Sequence, residues 1–125
     1  VGLGIDFTAR DLQREAIANG WPWERAKGFD HAAAVSPRFP PVAELGDIRN
    51  LHFTLEVNGE VRQRGCTGDM IFGVDELLSR VSRYITYRTG DLLFTGTPAG
   101  AGPIARGDVL RAALEGEELL NFEIR

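Results

Sequence analysis

The chain has 125 residues, with 14 Lys plus Arg against 18 Asp plus Glu and a formal charge of −4 at pH 7. Its 43% apolar and 26% charged residues match an ordinary globular domain and exclude a disordered, collagen-like or low-complexity chain. One domain with a real core is expected; the acidic balance argues against a nucleic-acid partner, and no apolar run approaches the ~20 residues that span a membrane.

Residues 1–5 are apolar and β-compatible, and their glycine-broken start reads like the middle of a strand. The expectation is a processed or truncated piece, or a strand whose neighbour comes from other residues. Thr8-Ala9-Arg10-Asp11 resembles a capping box, a hydroxyl followed three residues later by an acid. Leu12, Ala16 and Ile17 follow at helical spacing and Asn19-Gly20 supplies a stop, which predicts a helix over 9–18. Trp21 to Asp30 is irregular and aromatic, and three prolines at 37, 40 and 41 exclude a helix or central strand there.

Leu51, Phe53, Leu55 and Val57 alternate with polar residues, a half-buried strand. Asn58-Gly59 then predicts a tight hairpin, because both residues tolerate positive φ, and 60–64 is the returning strand. A helix is predicted over 74–84 from Leu77, Leu78, Val81 and Ile85. Strands are expected at 92–95, 109–114 and 119–124, with a glycine-rich loop over 96–103 and a turn over 115–118. Short strands with two or so helices imply α+β, dominated by antiparallel sheet.

Several residues can carry chemistry. Asp6 ends an apolar strand before a helix start, where a carboxylate either acts on a substrate or caps the helix. Asp6, Arg10 and Gln13 are spaced by four and three, so they share one side if the helix reaches back that far; Arg10 can equally pair with Asp11 or Glu15. Lys27 can hold an anion as a point charge or simply be solvated. Trp21 and Trp23 read as core packing rather than pocket walls. The 96–103 loop lacks the Gly-Lys-Ser/Thr of a nucleotide site. Its amides and the Thr97 hydroxyl can bind an anionic oxygen, or the loop is a plain turn.

His31, His52 and the single Cys66 match no zinc spacing. Cys66 has no base beside it in sequence. One cysteine excludes an internal disulfide and fits a reducing, cytoplasmic setting. Glu115-x-Glu117 falls in a turn and reads as a chance pair.

Taken together, Gly4-Ile5-Asp6-Phe7-Thr8-Ala9-Arg10-Asp11-Leu12-Gln13, Pro22-Trp23-Glu24-Arg25-Ala26-Lys27-Gly28-Phe29-Asp30, Leu55 to Gln63, Asp69-Met70-Ile71-Phe72 and Gly90 to Gly100 resemble the fumarylacetoacetate hydrolase family. The resemblance is nearest to its small acylpyruvate hydrolase and oxaloacetate decarboxylase members. It implies a mixed, largely antiparallel β-roll with few helices, assembled as a homodimer. It implies Mg²⁺ or Mn²⁺ held by three carboxylates, and small 2-oxo or β-dicarbonyl acids cleaved, decarboxylated or, as dienoates, isomerised through a metal-stabilised enolate.

By the same resemblance Asp6 is a metal ligand, Lys27 and Gln13 are catalytic, and Arg10, Lys27, Gly96 and Thr97 contact the substrate. The family's Glu-x-Glu pair and its His-and-Glu lid precede the segment matching Val1. The chain is thus expected to be the C-terminal portion of such an enzyme, the rest being cleaved, disordered or a separate polypeptide. The alternative is a non-catalytic remnant serving as a binding or assembly module.

Overall fold

A computed structural model describes residues 1–125. Two antiparallel sheets carry the fold. The smaller pairs β1 (Gly4–Asp6) with β2 (Ala33–Val35), Ile5 facing Ala34. The larger has the order β4-β3-β5-β6, built from β3 (His52–Val57), β4 (Glu60–Cys66), β5 (Val109–Leu114) and β6 (Glu117–Glu123). Four short helices accompany them: α1 (Arg10–Asn19), α2 (Glu24–Lys27), α3 (Val42–Leu45) and α4 (Val74–Val81). The sequence predicted two; α2 and α3 are single turns, too short to show a periodicity. None of the helices is long and apolar enough to cross a membrane.

Both hairpins of the larger sheet turn on two residues with positive φ. Asn58 and Gly59 stand at 55° and 82°, Glu115 and Gly116 at 49° and 84°. These values suit the type I′ turn that matches strand twist. The second turn is therefore shorter than the four residues expected, and β6 starts at Glu117. Asn58 also ties the first turn to β5. Its Nδ2 donates to Asp108 Oδ1 at 2.8 Å and its Oδ1 accepts from Val109 N at 2.9 Å. Asp108 Oδ2 accepts from Ala105 N at 2.7 Å.

These bonds hold the Asp108 carboxyl below the usual aspartate range, the Ala105 amide acting most strongly and the Asn58 amide next. A carboxyl with a lowered folded pKa stabilises the fold above its unfolded value, about 3.9, and the gain is lost as pH falls through the folded value. Asp108→Asn is therefore expected to lower Tm at neutral pH. The difference from the parent should shrink as pH falls below about 4 and vanish below the folded pKa, where both side chains are uncharged. Melting curves across pH check this; a constant difference would assign the effect to packing.

The core lies on one face of the larger sheet. Leu51, Leu114 and Leu119 are buried together, with Leu3, Leu45, Ile48 and Phe53 packed around them. It is small: 12 of 125 residues are buried. The accessible surface is 9041 Å², against about 6,600 Å² expected for a compact monomer of 13.7 kDa. No residue of α4 is buried, and beside it Ile71 and Tyr84 are 91% and 89% exposed. The Arg80 guanidinium lies over the Phe72 ring, 5.0 Å from its centre, and Phe72 is still 44% exposed.

Residues 92–95 do not form the predicted strand. Nowhere in 92–104 does a backbone group bond to another, although the Phe94 ring lies against Gly4 of β1. The apolar run reports a preference for burial, whereas a strand also needs an edge to pair with.

Candidate active site

Three polar side chains meet where β1 ends. Lys27 Nζ lies 2.7 Å from Asp6 Oδ2 and 2.7 Å from Thr8 Oγ1. The backbone sets this up. Ala26, 1% exposed, anchors α2 by accepting from Ala9 N at 3.1 Å, while Phe7 N donates to Ala32 O at 2.8 Å. Phe7 also packs edge-on against Phe122 of β6, with ring centres 6.5 Å apart. The segment 7–9 is thus pinned on both sides, and Lys27 leaves α2 beside it.

The expected capping box does not form. Ala9 is the N-cap of α1 and no side chain caps it. The Thr8 hydroxyl accepts from Lys27 instead. Asp6 belongs to β1 rather than to an extension of α1, so the helical alignment of Asp6 with Arg10 and Gln13 is not made. Arg10 and Gln13 do meet, Arg10 Nη1 donating to Gln13 Oε1 at 2.8 Å on the first turn of α1.

Just before the 96–103 loop, the chain meets β1 at Phe94. A Cβ added at Gly4 would lie 2.5 Å from the Phe94 ring, so the ring rests directly on the strand. Three residues on, Thr97 Oγ1 accepts from Gln63 Nε2 at 2.9 Å. Gly96 stands at φ 105°, a conformation that favours glycine. Gln63 escaped the sequence reading; a bulge in β4 opposite Leu55 and Glu56 breaks the alternation that would have placed it.

Other candidates are committed elsewhere. Glu115 bonds the His52 amide and lies 3.5 Å from its ring; Glu117 pairs with Arg38. Cys66 Sγ lies 3.3 Å from Asn50 Oδ1 and accepts from Gly68 N, with no base at hand. His31 occupies a turn at φ 64°. Trp21 and Trp23 are half exposed, against the expected core packing. The left-handed Gly20 ends α1 and sends the chain outward, so Trp21 walls a surface groove of about 330 Å³ with Leu12 and Pro22.

No three His, Cys, Asp or Glu side chains converge. Asp6 is the one carboxylate of the site, and one of its oxygens carries Lys27. These residues by themselves do not form a divalent-cation shell.

Comparison with known proteins identifies the family. Oxaloacetate tautomerase YcgM of Escherichia coli is 41% identical over 118 residues, covering 94% of this chain and 54% of that protein. The mitochondrial oxaloacetate tautomerase of Mus musculus is 42% identical over 123 residues, covering 98% and 55%. The chain spans about half the length of the curated relatives it matches.

Among solved structures, a fumarylacetoacetate hydrolase family protein from Yersinia pestis superposes with a TM-score of 0.94 at 44% identity, over 99% of this chain and 58% of that one. Fumarylpyruvate hydrolase from Pseudomonas aeruginosa, in complex with Mn²⁺ and pyruvate, gives 0.89 at 40% identity, over 98% and 52%. Residues 1–124 match the family model described as fumarylacetoacetate (FAA) hydrolase C-terminal, so the chain belongs to the fumarylacetoacetate hydrolase family.

Proposed function

We propose that this chain contributes the anion-holding half of an active site for small 2-oxo acids. The observation that carries the reading is the Lys27 ammonium held at 2.7 Å by both Asp6 and Thr8. An ammonium has three N–H donors, and two are spent on these partners. The third is free for a substrate oxygen. Because Thr8 accepts from Lys27, its own hydroxyl proton is also free to donate.

Hydrolysis of an acylpyruvate, decarboxylation of oxaloacetate, and movement of a double bond beside a 2-oxo group share one requirement. Negative charge develops on the keto oxygen as the enolate forms. A fixed ammonium and a fixed hydroxyl beside that oxygen stabilise the charge without reorganising. Arg10 and Thr97, with the Gly96 amide, are assigned to the substrate carboxylate, and Gln13 holds Arg10 in place. Asp6 is assigned as one ligand of Mg²⁺ or Mn²⁺, the remaining ligands coming from outside these residues.

The test supplies oxaloacetate or acetylpyruvate with and without Mg²⁺ or Mn²⁺ and follows loss of the substrate's ultraviolet absorbance. Turnover that needs the cation and is lost in Asp6→Ala is expected. Turnover unchanged by Asp6→Ala would remove the carboxylate from the site.

The surface favours a second reading, an assembly module. The apolar face around Ile71, Phe72, Tyr84 and Ile85 is uncovered. A second copy of the chain is the occupant we assign. An inactive but dimeric protein would favour this reading alone.

A further inference from the structure

The loop that carries Thr97 has no scaffold of its own. With no backbone-to-backbone bonds over 92–104, its shape depends on side chains from β4. Arg62 Nη1 reaches Pro103 O at 3.4 Å, a weak contact. Gln63 holds the loop more firmly. Its Nε2 lies 2.9 Å from Thr97 Oγ1, 3.0 Å from Pro98 O and 3.5 Å from Ala99 O. Gln63 stands on β4 opposite Leu55 of β3, next to the bulge where the register of the two strands shifts.

Chemistry decides which way the amide faces. The Pro98 carbonyl can only accept, so the nitrogen end of Gln63 must face the loop. An amide NH₂ can only donate, so toward Gln63 the Thr97 oxygen is an acceptor. The single hydroxyl proton of Thr97 is then free to point elsewhere. A carboxylate accepts and never donates, so it needs that free proton.

We propose that Gln63 is a positioning residue for the reaction. It shapes the loop over 97–99 and makes Thr97 a hydrogen-bond donor toward the carboxylate of the 2-oxo acid. This rests on the reading that Thr97 faces that carboxylate; Gln63 acts through Thr97 and does not touch the substrate. Thr8 repeats the logic, its oxygen occupied by the Lys27 ammonium and its proton released. Two hydroxyls of the site are thus polarised by donors behind them.

The experiment compares Gln63→Leu and Gln63→Glu with the parent, alone and with Thr97→Val. Gln63→Leu removes the donors, and KM for oxaloacetate should rise about tenfold, the loss of one hydrogen bond to a charged group. Gln63→Glu should raise it further, because its carboxylate repels Pro98 O and draws the Thr97 proton inward. In both, kcat should stay within about threefold, since ground-state and transition-state binding are lost alike. With Thr97→Val already present, Gln63→Leu should add less than about twofold, because the path runs through Thr97.

A second readout needs no turnover. The side-chain amide signals of Gln63 in a ¹⁵N NMR spectrum should move in Thr97→Val. Unmoved signals, or additive KM effects in the double variant, overturn the positioning role even in an active enzyme. A fall in kcat matched by a fall in Tm overturns it as well, since that marks a damaged β4. Absence of turnover by the parent protein, with the amide signals moving as expected, overturns the 2-oxo acid reading instead.

Discussion

Lys27→Met is expected to lower kcat/KM for a 2-oxo acid by about a hundredfold or more, the scale of losing a fixed donor to a developing oxyanion. Tm should barely change. Lys27 and Asp6 are 36% and 49% exposed at the side chain, and an ion pair that open to water stabilises the fold little. Methionine keeps an apolar stem of similar length, so the loss falls on the charged end. Lys27→Arg should not rescue activity. A planar guanidinium cannot place one nitrogen 2.7 Å from both Asp6 and Thr8 and still offer a donor in the same direction. Steady-state kinetics with a melting curve check both points. An active Lys27→Met protein with an unchanged KM would remove the lysine from the site.

Gly100→Ala should also weaken activity, by a route that involves no chemistry. Gly100 stands at φ 100°, where alanine is strained by about 1 kcal/mol or more. A Cβ there would also fall on the backbone carbonyl oxygen of Arg62, with the Gln63 side chain close behind. Neither a strand backbone nor a φ of that sign can yield cheaply, so the loop must lift from β4. Thr97 and Pro98 then leave Gln63. KM should then rise at least as far as in Gln63→Leu, by about tenfold or more, with kcat little changed. Global stability should hold, because no residue from 96 to 104 is buried. Activity loss with a preserved Tm is the expected pattern, and a fully active variant would show that the loop is not held as described.

Where conformation is decided by neighbours in sequence, it was legible. Asn58-Gly59 forms its turn because both residues accept positive φ, whatever surrounds them. The helix predicted over 9–18 runs from Arg10 to Asn19, and Gly20 ends it in the left-handed region as expected of a stop. Contacts across sequence were not legible in the same way. Thr8 had the composition of a cap, but Lys27, distant in sequence, reaches its hydroxyl first. Leu92-Leu93-Phe94 has the composition of a strand, but its backbone bonds to no neighbouring strand. Spacing offered Asp6 and Lys27 as separate candidates, each with a bland alternative, and only the packing of α2 against 7–9 brings them together. Family resemblance supplied their roles; geometry supplies their pairing.

The unbonded backbone over 92–104 divides the site by timescale. Amides of β3 and β5, bonded on both sides within the sheet, should exchange with solvent only on rare opening of the sheet. Those of the Thr97 loop should exchange almost as fast as in a free peptide. A carboxylate arriving there must order the segment that grips it, and that lost entropy is subtracted from its affinity. The two ends of a bound 2-oxo acid would then be held on different clocks, the keto end by a rigid strand terminus and the carboxylate end by a loop that quickly opens and lets go.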